Sequence, residues 1–203
     1  MTAVRRLPRD PGPAAWNCLL PEAPPPERLE GEITAEWIVI GAGFAGLSAA
    51  RRLSQLRPGD RIVVLDAKRV AEGPAGRNSG FMIDLPHDLA SEDYGGALDA
   101  DIAQTQDNRR AIEFAADMAR EFGLSTQAFA QSGKVNAAAT GKGHRHNLDY
   151  ANHLTAMGEP FELLDAQDMR AMTGTRFYQS GLYTPGTAMI QPAEYIRGVA
   201  SGL

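Results

Sequence analysis

The chain has 203 residues, with 20 Lys plus Arg against 25 Asp plus Glu, a formal net charge of -5, 43% hydrophobic and 22% charged residues. That composition is globular, which excludes wholesale disorder, and the length fits one large domain or two small ones. No apolar run approaches the roughly 18 residues of a membrane span, the acidic balance argues against a general nucleic-acid binder, and Cys18 as the single cysteine excludes an intrachain disulfide and a Cys-rich zinc site.

Residues 1–32 read as a Pro-rich N-terminal arm. Seven of the 13 prolines fall in the first 26 residues, and such a segment continues neither a helix nor a central strand. An extended arm pinned to a domain surface by Trp16 and Leu19 is one expectation, and a floppy tail is the other. Arg5 and Arg6 are not followed by the apolar stretch of a secretory signal, so a cytoplasmic location is expected.

Residues 33–40 end in the apolar run Trp37-Ile38-Val39-Ile40, which reads as a buried parallel strand. Gly41-Ala42-Gly43-Phe44-Ala45-Gly46 follows at once. A helical stripe over 47–56 comes next, then a Pro58-Gly59-Asp60 break and a second strand over 61–66 that ends in Asp66. A lone GxGxxG is weak evidence. Strand, glycine turn, helix, strand and an acid about 20 residues further on form the context of a dinucleotide site. Gly41 permits the tight turn, Gly43 allows a pyrophosphate to approach the backbone, and Gly46 allows close helix–strand packing. The helix N-terminus aims unpaired N–H groups at phosphate. Asp66 can accept from ribose hydroxyls, with Arg69 as a neighbouring contact. To this point the pattern fits NAD and FAD equally.

Residues 73–81 read GPAGRNSGF. Three glycines in eight residues require a shaped loop, running towards a helix near Ser79, in which Arg77 is a candidate for phosphate or a cofactor carbonyl and Asn78 offers donor and acceptor. With this segment, residues 37–81 resemble the N-terminal FAD-binding part of the D-amino-acid oxidase-like flavoprotein superfamily, and within it the bacterial gamma-glutamylputrescine oxidase and glycine oxidase branch. The carrying stretches are GAGFAG at 41–46, VVLDA at 63–67 and GPAGRNSGF at 73–81. The resemblance implies FAD as cofactor. It also implies FAD contacts at Gly41, Ala42, Gly43, Phe44, Ala45 and Gly46, at Asp66 and Ala67, and at Arg77, Asn78, Ser79 and Gly80. Asp66 stands where Glu is more frequent, Pro74-Ala75 where Ala-Ser is usual, and Ser79 where glycine is usual.

Residues 82–96, with His87, read as a loop over the cofactor or substrate region. A helix is expected over 98–122, with Leu98, Ile102, Thr105, Ile112, Ala115 and Ala119 as its core stripe, Arg109 and Arg110 on its solvated side, and Gly123 as its stop. A strand over 133–138, a helix from Gly141 to about Met157, a strand over 161–164, a helix over 166–171 capped by Asp165, a strand over 180–183 and a helix from Pro192 follow. His144, His146 and His153 lack the spacing and the carboxylate of a metal site.

The expected fold class is α/β, a Rossmann-like FAD-binding βαβ unit followed by helices and the start of an antiparallel substrate domain. The expected division is the arm, an FAD-binding half with a helical insertion over 33–132, a substrate part over 133–190 and a returning helix over 191–203. Members of the resembled family are about twice as long, so an exposed hydrophobic sheet edge is expected, with instability or need of a partner. The resemblance implies hydride transfer from the C–N carbon of an amine or amino acid to flavin N5, with oxygen or another electron acceptor, and names no catalytic residue. An NAD-dependent dehydrogenase domain and a non-catalytic FAD-binding fragment are the alternatives.

Overall fold

The computed structural model describes residues 12–23, 25–86 and 98–203. Residues 87–96 of the loop expected over 82–96, His87 among them, lie outside the described residues, as do residues 1–11 and Pro24, and Met82 belongs to a strand. The chain divides into two compact units. One comprises residues 1–79 and 191–203, and the other residues 80–190.

The first unit is built on two parallel strands. β1 (Trp37–Ile40) pairs with β2 (Ile62–Leu65), Trp37 opposite Ile62 and Ile40 opposite Leu65. The two strands are joined through helix α2 (Phe44–Leu56), which buries Leu47 and Ala50. A parallel pair needs such a crossover, and its apolar run and helical stripe are what the sequence supplies. β1 departs from the expected burial. Ile38 is 57% and Ile40 86% exposed. A two-stranded sheet with one crossover helix shields one face of its strands and leaves the other to solvent.

The arm also differs from an extended segment. Residues Ala15–Cys18 form a single helical turn, α1, and Leu19 is 73% exposed, so it anchors nothing. The unit is completed by α6 (Pro192–Gly202), with Pro192 in its first turn and the Gln191 side chain accepting from the Glu194 N–H. Tyr195, Ile196 and Val199 are almost wholly buried, and each contributes about 1.5–3 kcal/mol by leaving water. Tyr195 lies 6.3 Å from the Phe44 ring, and burial pushes its phenol above the ordinary range.

The second unit holds two small antiparallel sheets. β8 (Ala188–Ile190) is flanked by β3 (Phe81–Met82) and β4 (Phe129–Gln131). β7 (Ser180–Thr184) is flanked by β5 (Lys134–Ala138) and β6 (Glu162–Leu164). β3 stands where a helix was expected near Ser79. Helices α3 (Leu98–Glu121), α4 (Gly141–Met157) and α5 (Ala166–Thr173) complete it. Leu85, Tyr150, Ala151, Leu154 and Leu182 form its core. Residues 80–132, expected with the cofactor half, group here instead, because β3 and β4 both pair with β8 and α3 packs on α4.

Local rules account for the helix ends. Gly123, at φ +62°, closes the end of α3, where Leu124 N–H reaches the Ala119 carbonyl. Asp165 caps α5 in a capping box with Asp168. Among the described residues no helix is long and apolar enough to cross a membrane.

Candidate cofactor site

The glycine turn sits at the carboxyl end of β1. Gly41 adopts φ +103°, and its N–H donates to the Leu65 carbonyl at 2.6 Å, which ties the turn to the end of β2. A methyl group on Gly46 would lie 1.8 Å from the Gly41 carbonyl oxygen. The helix therefore packs against the turn at a distance only glycine permits. Gly43 is the N-cap of α2 and supplies no side-chain bond to it. The first N–H groups of α2 therefore have no capping side chain, and the positive end of the helix dipole stands behind them.

Asp66 joins the turn to the second strand. Its Oδ2 accepts from the Ala42 N–H at 2.7 Å and its Oδ1 from the Lys68 N–H at 2.9 Å. The carboxylate is exposed, and each oxygen keeps a lone pair for a further donor. Ala67 beside it is exposed, as is Arg69.

The glycine-rich loop comes back to the same place. It contains a single 3-10 turn, Pro74–Gly76. A methyl on Gly43 would stand 3.7 Å from the Ala75 methyl carbon, so the two motifs are neighbours in space. Gly76 presses on Ala71, since an added methyl would fall 1.9 Å from the Ala71 carbonyl oxygen. Ala71 itself has φ +67°, the one positive φ at a non-glycine position among the described residues. Phe44 and Ala45, at the start of α2, are exposed.

Arg77, Asn78, Ser79 and Gly80 differ in their surroundings. Arg77 Nε donates to the Glu72 carbonyl at 2.8 Å, and its guanidinium also bonds the Gly12 carbonyl and lies 3.5 Å from the Glu72 carboxylate. Asn78 Nδ2 donates to the Ala75 carbonyl at 2.8 Å, which folds the side chain back on its own loop. Ser79 is exposed. Gly80, in the second unit, is buried at φ +79°, and its carbonyl accepts from the Ile190 N–H at 2.9 Å.

Glu72 was not singled out by spacing or composition. Its Oε2 accepts from the Ala14 N–H and its Oε1 from Asn17 Nδ2, both at 2.9 Å. Asn17 Nδ2 also reaches the Ala71 carbonyl at 3.2 Å, and Trp16 Nε1 donates to the Asn78 carbonyl at 2.8 Å. An acid between two glycine motifs carries no signal until the arm that meets it is placed.

In the second unit, Arg109 is not simply solvated. It bridges the fully buried Asp84, at 3.1 Å, and Glu159, at 2.5 Å. The Glu159 carboxylate chiefly, and Asp84 after it, raise the guanidinium above its ordinary value. His144 Nδ1 lies 2.9 Å from Ser180 Oγ, and His153 Nε2 lies 2.9 Å from an Asp101 oxygen. Among the described residues no group of three or more His, Cys, Asp or Glu is placed to hold a metal ion.

A parallel βαβ unit whose glycine turn, uncapped helix N-terminus and strand-end acid converge defines a dinucleotide-binding α/β protein. The comparison with family models makes this specific: residues 36–203 match the model described as FAD dependent oxidoreductase, and the chain belongs to that family. Its relatives include a probable oxidoreductase OrdL of Rhizobium meliloti, 28% identical over 95% of this chain and 45% of that protein. The gamma-glutamylputrescine oxidoreductase of Escherichia coli is 38% identical over 35% of this chain and 17% of that protein. The crystal structure of glycine oxidase from Geobacillus kaustophilus shares the fold, with a TM-score of 0.62 at 15% identity over 83% of this chain and 44% of that chain. The chain thus spans less than half the length of these proteins.

Proposed function

We propose that this chain carries the dinucleotide-binding part of a flavoenzyme that oxidises the C–N bond of an amine or amino acid. The observation that carries the reading is the meeting of the two glycine motifs. The uncapped start of α2 lies beside Asp66 on one side and Ala75 on the other.

The donor set fits the pyrophosphate and ribose of FAD. Phe44, Ala45 and Gly46 offer backbone N–H groups at the positive end of a helix, where an anion is favoured. Gly43 brings no Cβ into the approach. Asp66 keeps acceptor capacity for ribose hydroxyls while holding Ala42 in place. The loop 73–78, with the Ala75 methyl beside Gly43, extends the surface along which the rest of FAD would lie, with Ser79 and Gly80 following in sequence. When bound, FAD supplies the hydride acceptor at its N5 atom. The chain's own part is to hold and orient that group through backbone donors that a side chain could not crowd in to provide. Substrate class is drawn from the relatives: one acts on gamma-glutamylputrescine and another is a glycine oxidase. Both names describe a substrate with an oxidisable C–N bond.

The deciding experiment is the visible spectrum of the purified chain before and after anaerobic addition of a panel of amines and amino acids. A yellow protein that bleaches with an amine is the expected outcome. A chain that takes up no added FAD and binds a nicotinamide dinucleotide instead would overturn the reading.

A further inference from the structure

The N-terminal arm has no part in the glycine motifs, yet it is bonded to the second of them at every turn. Gly12 receives the Arg77 guanidinium on its carbonyl. The Ala14 N–H and the Asn17 amide donate to the two oxygens of Glu72, and Trp16 donates to the Asn78 carbonyl. Ala14 is fully buried by these contacts. The other side of the arm is held by α6, where Gln191 Nε2 donates to the Trp16 carbonyl at 3.0 Å and Arg197 donates to the Pro21 carbonyl at 3.0 Å.

These bonds converge on one acid. The Glu72 carboxylate takes both arm donors, lies beside Arg77, and stands next to Ala71, whose backbone is in the left-handed region. Charge-assisted bonds to a carboxylate are the strong class of hydrogen bond, and here they meet a backbone that a non-glycine residue does not adopt freely. Apart from those bonds the loop is held by its own 3-10 turn, by the Arg77 and Asn78 side chains bonding its backbone, and by packing on α6.

We infer that Glu72 is a positioning residue for the cofactor. It clamps the arm segment Gly12–Asn17 onto residues 71–78, and that clamp sets the loop in the form that receives FAD. The inference rests on the reading of the site under Proposed function, and it adds a segment of chain outside the glycine motifs to the machinery that retains the cofactor. The arm acts through Glu72 and touches no reacting atom.

The test uses the full chain as wild type, Glu72→Ala, Asn17→Ala, the double variant, and Trp16→Phe, which keeps an aromatic ring but removes the indole N–H. Each is titrated with FAD by flavin fluorescence. The circular dichroism of the bound flavin is recorded, and hydrogen exchange of the 73–78 amides is followed without FAD. Glu72→Ala should weaken FAD binding about tenfold, the loss expected of one charge-assisted bond, and should speed exchange at 73–78. The double variant should lose less than the two single losses added, because the Asn17 amide bonds Glu72 and keeps only the longer contact to the Ala71 carbonyl without it. Trp16→Phe, the mildest change, should shift the flavin signal in the same direction. Variants that lower only the unfolding midpoint, with FAD affinity, flavin dichroism and exchange unaltered, would overturn the inference. If the wild type takes up no FAD, the cofactor reading itself fails. Exchange at 73–78 then still reports on the clamp, and equal rates in all variants would dismiss it.

Discussion

Gly46 and Gly41 touch across the turn so closely that a methyl on Gly46 would sit 1.8 Å from the Gly41 carbonyl oxygen. The obstructing atom is backbone, so it cannot rotate aside. Ala is the better helix former by about 1 kcal/mol, yet Gly46→Ala should destabilise the chain by about 1–3 kcal/mol through overpacking and should weaken FAD uptake. Urea midpoints and a flavin titration check both. A more stable variant would show that α2 does not rest on the turn.

Asp66 should behave as a bridge as well as a ligand. Asp66→Asn keeps one acceptor oxygen where two backbone N–H groups now bond. FAD affinity should fall by about tenfold or more, in line with the loss of a bond to a charged group. Unchanged affinity in an equilibrium titration would remove Asp66 from the cofactor site.

Asp84 has no exposure and relies on Arg109, with Thr187 Oγ1 donating at 3.3 Å and Asn108 bonding its carbonyl. Removing the guanidinium in Arg109→Met leaves the buried Asp84 carboxylate without its ion-pair partner, with the electrostatic influence of Lys134 remaining. The loss should be about 2–3 kcal/mol, below the full buried-pair range because Arg109 is 43% exposed. Adding Asp84→Asn should restore part of it, since the neutral amide needs no cation. Equal midpoints for the single and double variants in urea would contradict this.

Ala71 carries a backbone better suited to glycine. Ala71→Gly relieves about 1–2 kcal/mol of left-handed strain against about 0.4–1 kcal/mol of extra unfolded-chain entropy, for an expected gain of about 0.5 kcal/mol. A lower unfolding midpoint would mean that the buried methyl matters more than the strain.

Stability at acid pH should carry the mark of Asp165. The backbone N–H groups of Asp168 first, and Gln167, hold its carboxyl below the ordinary value of 3.8. A group lowered on folding stabilises fully above its unfolded value, and that contribution is lost as pH falls through the lower folded value. Asp165→Asn still caps α5 but cannot titrate. Its stability should therefore fall less steeply with acid than the wild type, as read by urea midpoints over that range.

The βαβ unit was legible because its signals are local: a β-branched run, glycines at fixed offsets and an acid at the end of the next strand. The α3 stop at Gly123 and the Asp165 cap were readable for the same reason. β3, β4 and β8 were not, since each is two or three residues long and exists only through pairings such as Phe81 with Met189. Arg109 looked solvated because its partners stand 25 and 50 residues away in sequence. The glycines around Arg77 and Asn78 mark their segment as a loop. Their bonds to Glu72, Gly12 and Ala75 depend on an arm whose course no periodicity reports. The strand β1 was read as buried from its apolar run, and exposure of Ile40 shows that such a run tells what a strand can bury and not how much of it is covered here.

The first unit is completed by α6, which arrives after residues 80–190 have passed. On a ribosome, the glycine turn and Asp66 emerge early, but Tyr195, Ile196 and Val199 follow only after residues 80–190. The first unit must therefore wait, incompletely packed, while residues 80–190 are made. Pulse-labelled nascent chains stalled before Pro192 should be open to protease in the 37–66 region, and those released beyond Val199 should be guarded. Synthesis order would then make cofactor capture a late event in the life of each molecule.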